Sequence, residues 1–260
     1  MNTGFTDRYG PVALVTGASS GIGQSFAEQL AAMGMDLVLI ARRVQRLESL
    51  AAHLRGTHGV EVKVCPVDLA ETSAAERIAA ATASLDIGLL VSNAGFGLKG
   101  DHSANDPRAM ADMLMVNCNT PMQLAHAFIP RLRKRGKGGL ILVSSVEALI
   151  GCPYSAAYSA SKAFVKSLGE ALWGELTPEG IDVLTICPGA TDTEALRRHG
   201  IDPATLPNVM PPDAVAKLAL ENLTRGPVLI TSEHYKATFD QLLSMPRRDA
   251  LTAMAARMRK

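Results

Sequence analysis

Seven short runs of aliphatic and β-branched residues, at 12–16, 36–41, 60–66, 87–92, 139–144, 181–187 and 227–231, alternate with longer Ala- and Leu-rich segments. Those segments, among them 22–33, 45–58, 74–84, 110–135 and 158–176, carry apolar residues at helical spacing. Runs that are apolar at nearly every position suit strands covered on both faces, which is the situation in a parallel sheet. Strand and helix in steady alternation predict an α/β chain with a single Rossmann fold, a doubly wound seven-stranded parallel sheet with helices on both faces. Two stretches interrupt the rhythm, a Pro-rich loop at 188–212 and a tail at 232–260. Ligands of open parallel sheets sit beyond the carboxyl ends of the strands, so the 188–212 loop is placed to cover a substrate.

The 26 Lys and Arg nearly cancel the 25 Asp and Glu, and a net charge of +1 excludes a nucleic-acid binder driven by phosphate neutralisation. Residues 1–10 lack an apolar signal core, and no run reaches the ~18 apolar residues of a membrane span. A cytoplasmic protein is expected. Cys65, Cys118, Cys152 and Cys187 lack metal-like spacing and are read as free thiols, with no metal assigned. His102, His126, His199 and His234 have no partner at catalytic or metal spacing, and the cations of 131–137 suit the end of a helix.

The first strand runs into Thr16, Gly17, Ala18, Ser19, Ser20, Gly21, Ile22 and Gly23, after which helical spacing begins. Glycines there allow a tight turn and close approach of a pyrophosphate, and the helix start attracts its charge. With no linker or repeat to divide the chain, 1–260 is expected to be a single Rossmann-type dinucleotide-binding catalytic domain. An acidic residue ending the second strand would bind a ribose 2′-hydroxyl, whereas arginine accommodates a 2′-phosphate. This chain has Arg42 and Arg43 there, and Asp36 lies too early to reach the ribose. NADP(H) is therefore expected in preference to NAD(H), which remains usable, with Arg42 the first phosphate ligand and Arg43 the second.

Tyr158 and Lys162 are four apart at the head of a helical segment and so share a face. An ammonium beside a phenol stabilises phenolate and brings the tyrosine toward working pH, where it exchanges protons. Ser145 ends the fifth apolar run, where a hydroxyl can hold a substrate oxygen against that tyrosine. Glu147, two residues on, is expected to be a solvated loop acid, because a carboxylate beside the phenol opposes the lysine.

These features resemble the short-chain dehydrogenase/reductase family, and the resemblance runs from Val12 to about Thr231. It implies that Gly17, Ser19, Ser20, Gly21, Ile22 and Gly23 hold the pyrophosphate, and that Asp68 with Leu69 lies beside the adenine. It implies too that Asn93, Ala94 and Gly95 border the cofactor, and that Asn117, Ser145, Tyr158 and Lys162 are catalytic. Tyr158 and Lys162 also touch the cofactor by this analogy, Lys162 holding the nicotinamide ribose and Asn117 helping to place a water. Pro188, Gly189, Thr191 and Thr193 match the segment that runs along the nicotinamide. Ser92 and Ser20 depart from common family residues, Ser20 standing where many NADP-dependent members carry a base.

An NADP-dependent carbonyl reductase or alcohol dehydrogenase follows, acting on a small-molecule ketone, aldehyde or secondary alcohol with Tyr158 as general acid and base. Leu196, Ile201, Leu206, Val209 and Met210 make the 188–212 loop an apolar lid and predict a medium or large apolar carbonyl substrate. Apolar surface on 110–135 and 158–176 and the family resemblance predict a homodimer or homotetramer. The alternatives are an NADP-sensing regulator on the same fold, and an epimerase or dehydratase using the same Tyr and Lys. The latter resemble chains with a longer carboxyl-terminal part.

Overall fold

Residues 3–198 and 200–258 are described in a computed structural model. Its strands are β1 (Val12–Thr16), β2 (Asp36–Ala41), β3 (Val62–Pro66), β4 (Ile87–Ser92), β5 (Gly138–Val143), β6 (Ile181–Cys187) and β7 (Val228–Ile230). They form one sheet in the order β3-β2-β1-β4-β5-β6-β7, with every pairing parallel. All residues of β1, β4, β5 and β6 are buried, which is why these runs lack the alternation of a half-exposed strand. The chain steps outward from β1 to β3, then restarts at β4 on the other side of β1. The carboxyl ends of β1 and β4 thus flank the crevice where such sheets take ligands.

The helices are α1 (Thr3–Tyr9), α2 (Gly21–Ala32), α3 (Val44–His58), α4 (Ala74–Ala81), α5 (Pro107–Leu114), α6 (Thr120–Arg135), α7 (Ala156–Leu176), α8 (Glu194–Arg198), α9 (Pro212–Glu221), α10 (Glu233–Ser244) and α11 (Arg247–Met258). One core layer joins α2, α3 and α9 to the sheet through Phe26, Leu30, Leu47, Leu54, Val215 and Leu220. The opposite layer joins α4, α6 and α7 through Ile78, Leu124, Phe128, Val165, Leu172 and Leu176. Arg131, four residues before the end of α6, does more than its place among the cations of 131–137 implied. Its guanidinium donates to the carbonyls of Ala79 (2.8 Å) and Thr82 (3.1 Å), taking up acceptors that the end of α4 leaves open.

The segment 110–135, expected as one helix, is broken. Between α5 and α6, Met115–Asn119 forms a π turn in which the N–H of Thr120 reaches the carbonyl of Met115. Pro121 has no N–H to give the carbonyl of Asn117, so the regular ladder cannot run through this point. The wide turn presses Asn117 fully inside. The tail packs on the body of the domain. Phe239, Ala250 and Met254 of α10 and α11 are buried against Val146, Ile150, Cys152 and Cys187 beyond the ends of β5 and β6. No helix among the described residues is long and apolar enough to cross a membrane.

Candidate active site

The turn after β1 is fixed from the neighbouring strand. Thr16 Oγ1 accepts from the N–H groups of Asn93 and Ala94, both at 3.0 Å, while Asn93 Nδ2 donates to the carbonyl of Thr16 at 3.0 Å. Gly17 has φ +69 and Gly21 φ +57, a backbone that side chains rarely adopt. At Gly23 a Cβ would stand 2.3 Å from the carbonyl oxygen of Gly17, so helix and turn meet backbone to backbone. Ser20, at the start of α2, makes no side-chain cap; its hydroxyl accepts from Arg43 Nη2 at 2.6 Å. The N–H groups of the first turn of α2 are thereby left to a bound anion, and the cradle fits the pyrophosphate of a dinucleotide.

The two arginines after β2 separate. Arg43 turns toward the glycine turn, where Nε and Nη2 reach Ser19 Oγ at 3.1 and 2.9 Å and Nη1 pairs with Glu194 of α8 at 2.7 Å. Arg42 is largely exposed and lies 3.7 Å from Asp68. Of the two, Arg43 and not Arg42 reaches the glycine turn. Arg46, one helical turn on, also pairs with Glu194. Only its i,i+3 relation to Arg43 could have marked it in the sequence. Leu69 is buried and its carbonyl accepts from Thr120 Oγ1 at 2.8 Å, so it anchors the loop that carries Asp68.

Ser145, Tyr158, Lys162 and Asn117 come together beyond β5. Ser145 Oγ hydrogen-bonds the Tyr158 hydroxyl and accepts from the N–H of Glu147 at 3.2 Å. Lys162 Nζ donates to the carbonyl of Val143 at 2.9 Å and lies 5.8 Å from the centre of the Tyr158 ring. Asn117 Nδ2 donates to the carbonyl of Phe96 (2.9 Å) and to Ser161 Oγ (3.0 Å), while Oδ1 accepts from the N–H of Phe96 (3.1 Å). Its side chain therefore locks the strand-four loop onto α7. Gly95 fits between Lys162 and Asn117, since a Cβ there would lie 3.0 Å from Lys162 Nζ and 3.1 Å from Asn117 Oδ1.

Burial is the main cause that pushes the Tyr158 hydroxyl up, the Glu147 carboxylate adds to it, and the hydrogen bond from Ser145 opposes it. In the free protein the phenol thus keeps its proton to higher pH than an ordinary tyrosine, where the sequence reading expects the neighbouring lysine to bring it toward working pH. Burial pushes Lys162 down to about 8. Glu147 is not a solvated acid either. It pairs with Lys99 at 2.6 Å, accepts from Ser155 Oγ at 2.5 Å, and Lys99 Nζ sits 5.2 Å from the centre of the Tyr158 ring. Sequence reasoning missed Lys99, which no motif marks.

After β6, the N–H of Val146 donates to the carbonyl of Pro188 at 3.1 Å, and Gly189 lies so close to Tyr235 that a Cβ would stand 2.2 Å from its ring. Thr191 pairs with Met210, and Thr193 faces Gly21. The loop that follows is pinched at a neck, where the N–H of Asp192 bonds Met210 and the N–H of Met210 bonds Ala190. Leu196, Ile201, Leu206, Val209 and Met210 are each partly buried. Cys65, Cys152 and Cys187 are buried free thiols and Cys118 is half-buried. His199 lies outside the described residues.

The family model described as short chain dehydrogenase matches residues 11–203. The chain belongs to the short-chain dehydrogenase family. It is therefore an oxidoreductase that moves a hydride between a nicotinamide cofactor and a carbonyl or alcohol carbon. It is 31% identical over 251 residues to a 7beta-hydroxysteroid dehydrogenase of Clostridium sardiniense, covering 96% of each chain. Among solved structures it is similar to a short-chain dehydrogenase from Sphingobium yanoikuyae in complex with NADPH. That match has 36% identity and a TM-score of 0.83, and covers 94% of this chain and 95% of the other. It is also similar to the bulky-bulky ketone specific alcohol dehydrogenase from Comamonas testosteroni, with 32% identity, a TM-score of 0.79 and 94% of each chain covered.

Proposed function

We propose that this dehydrogenase uses NADP(H) in preference to NAD(H) to interconvert a medium-to-large apolar ketone and its secondary alcohol, with 1–260 working as one catalytic domain. The observation that carries the reaction is the Tyr158 hydroxyl hydrogen-bonded to Ser145 with Lys162 and Asn117 behind it. Ser145 holds the substrate oxygen, and Tyr158 delivers the phenolic proton to it as the carbonyl carbon is reduced. The bound dinucleotide supplies the hydride. In the direction of oxidation Tyr158 takes the alcohol proton back. Lys162 carries the nearby positive charge that stabilises the phenolate and holds the ribose hydroxyls, and Asn117 fixes the loop that borders both.

The cofactor preference is supported by Arg43, which donates to Ser19 and Ser20 beside the glycine turn, and by the absence of an acidic residue at the end of β2. The substrate class is supported by the partly buried apolar residues of the 188–212 loop and by the third apolar cluster beyond β5 and β6. It agrees with relatives named for steroid and bulky-ketone substrates. A series of ketones of increasing apolar bulk, followed at the nicotinamide absorbance with each cofactor, tests both readings. A specificity constant that rises with bulk and is higher with NADPH is expected; efficiency peaking with small polar carbonyls, or equal for both cofactors, contradicts them.

A further inference from the structure

Glu194 stands at the start of α8, in the loop placed over the substrate, yet its carboxylate is turned away from the catalytic residues and toward the arginines beside the glycine turn. Oε2 pairs with Arg43 Nη1 at 2.7 Å and with Arg198 Nη2 at 3.0 Å, and Oε1 pairs with Arg46. These partners hold the carboxyl down at about 2, the hydrogen bonds from Arg46 and Arg43 being the largest causes. Arg43 in turn donates to Ser19 Oγ and Ser20 Oγ. One anion, supplied by the protein itself, thus sits on the donor set that suits a phosphate monoester.

We propose that the Glu194 carboxylate is an internal stand-in for the 2′-phosphate of the cofactor. It occupies the Arg43–Arg46 clamp in the free protein and yields it to the phosphate, so that cofactor binding releases the outer end of the substrate loop. The inference rests on reading Arg43 as the phosphate ligand.

The geometry makes the exchange inexpensive. A 2′-phosphate carries close to two negative charges at neutral pH and three acceptor oxygens, against one charge and two oxygens for the carboxylate. Arg198 belongs to the same short helix as Glu194, so the displaced carboxylate keeps a cation. The loop does not come loose altogether, because its neck is closed by the backbone bonds among Ala190, Asp192 and Met210. What is freed lies between, and includes Leu196, Ile201 and Leu206, the apolar residues that face a substrate under the lid reading. NADH has no 2′-phosphate and leaves the tether in place. Glu194 thereby becomes a determinant of cofactor choice, and the occupied clamp reports to the substrate side.

Equilibrium titration of NADPH and NADH into the intact protein, Glu194→Gln and Glu194→Ala tests the affinity side. Without the competing carboxylate, NADPH should bind about five-fold tighter, the size of a part-exposed ion pair, and NADH should change less than about two-fold. Amide hydrogen exchange over 194–206 tests the loop. Adenosine 2′-monophosphate should speed exchange in the unsubstituted protein while adenosine 5′-monophosphate does not, and in Glu194→Gln exchange should already be fast. Weaker or unchanged NADPH binding in both variants, or slower exchange with the 2′-phosphate, overturns the proposal. Arg43→Ala separates the two levels. If it leaves NADPH affinity untouched, the phosphate reading itself fails; if it weakens NADPH while the Glu194 variants behave like the parent, only the stand-in role fails.

Discussion

Lys162 shows how much a single residue gives up for its place. Burial lowers its proton affinity from the ordinary 10.5 to about 8, while the carbonyl of Val143 accepts a hydrogen bond from it at 2.9 Å. Between these two values the unfolded chain binds a proton that the folded chain does not, so stability rises with pH across that window. Below 8 both states carry it, and the full cost of about 3 kcal/mol stands. Lys162→Met should therefore lose turnover yet unfold at a higher temperature at pH 7, by roughly 1–2 kcal/mol once the lost hydrogen bond is subtracted. That gain should shrink as pH climbs from 8 toward 10.5, and thermal melts across this range check it. A variant less stable at pH 7 means the lysine is structurally required. At this scale the sequence was readable where spacing carries geometry, as with Tyr158 and Lys162. It was unreadable where partners come from distant loops, as with Lys99 and Glu147, or where neighbours diverge, as with Arg42 and Arg43.

At the scale of elements, the alternation of buried strands and helices was legible because β1, β4, β5 and β6 admit no polar face. Helices α1, α8 and α9 escaped notice, whereas α10 and α11 lie in the tail, whose apolar residues from Leu242 to Met258 stand at roughly helical spacing. Too short to show a period, α1 is fixed by a distant contact, the Tyr9 hydroxyl donating to Asp182 at 2.6 Å. The segments of α9, α10 and α11 are rich in small or polar residues, and their buried faces are set by the body they lie on. The break at Met115–Asn119 had one local sign, Pro121, outweighed by the apolar spacing around it. The contact of α7 with β6 depends on one glycine, since a Cβ at Gly169 would come 1.8 Å from Thr185 Oγ1. Gly169→Ala gains about 1 kcal/mol in helix propensity but forces the two elements apart, for a net loss of about 1–2 kcal/mol. Pairing it with Thr185→Ala should restore most of that loss, because the colliding hydroxyl is gone. Urea unfolding of the two singles and the double checks this, and an unchanged midpoint for Gly169→Ala contradicts the close approach.

For the whole molecule, Leu114, Met122 and Phe164 remain 45%, 38% and 40% exposed on α5, α6 and α7, the helices that flank the catalytic residues. Apolar side chains of that size on neighbouring helices suit a face shared between copies. Light scattering at micromolar concentration should give two or four times the 27.5 kDa of one chain, and Phe164→Glu should lower that mass; a 27.5 kDa particle contradicts it. The central claim is that this sheet brings a dinucleotide cradle and a proton-donating tyrosine to one crevice. Its most direct test is a single-turnover reduction of a bulky apolar ketone by protein preloaded with NADPH, in the parent and in Tyr158→Phe. The parent should consume the nicotinamide absorbance at least about 100-fold faster than the variant, with equal NADPH affinity in both. Equal rates in the two proteins would contradict the account.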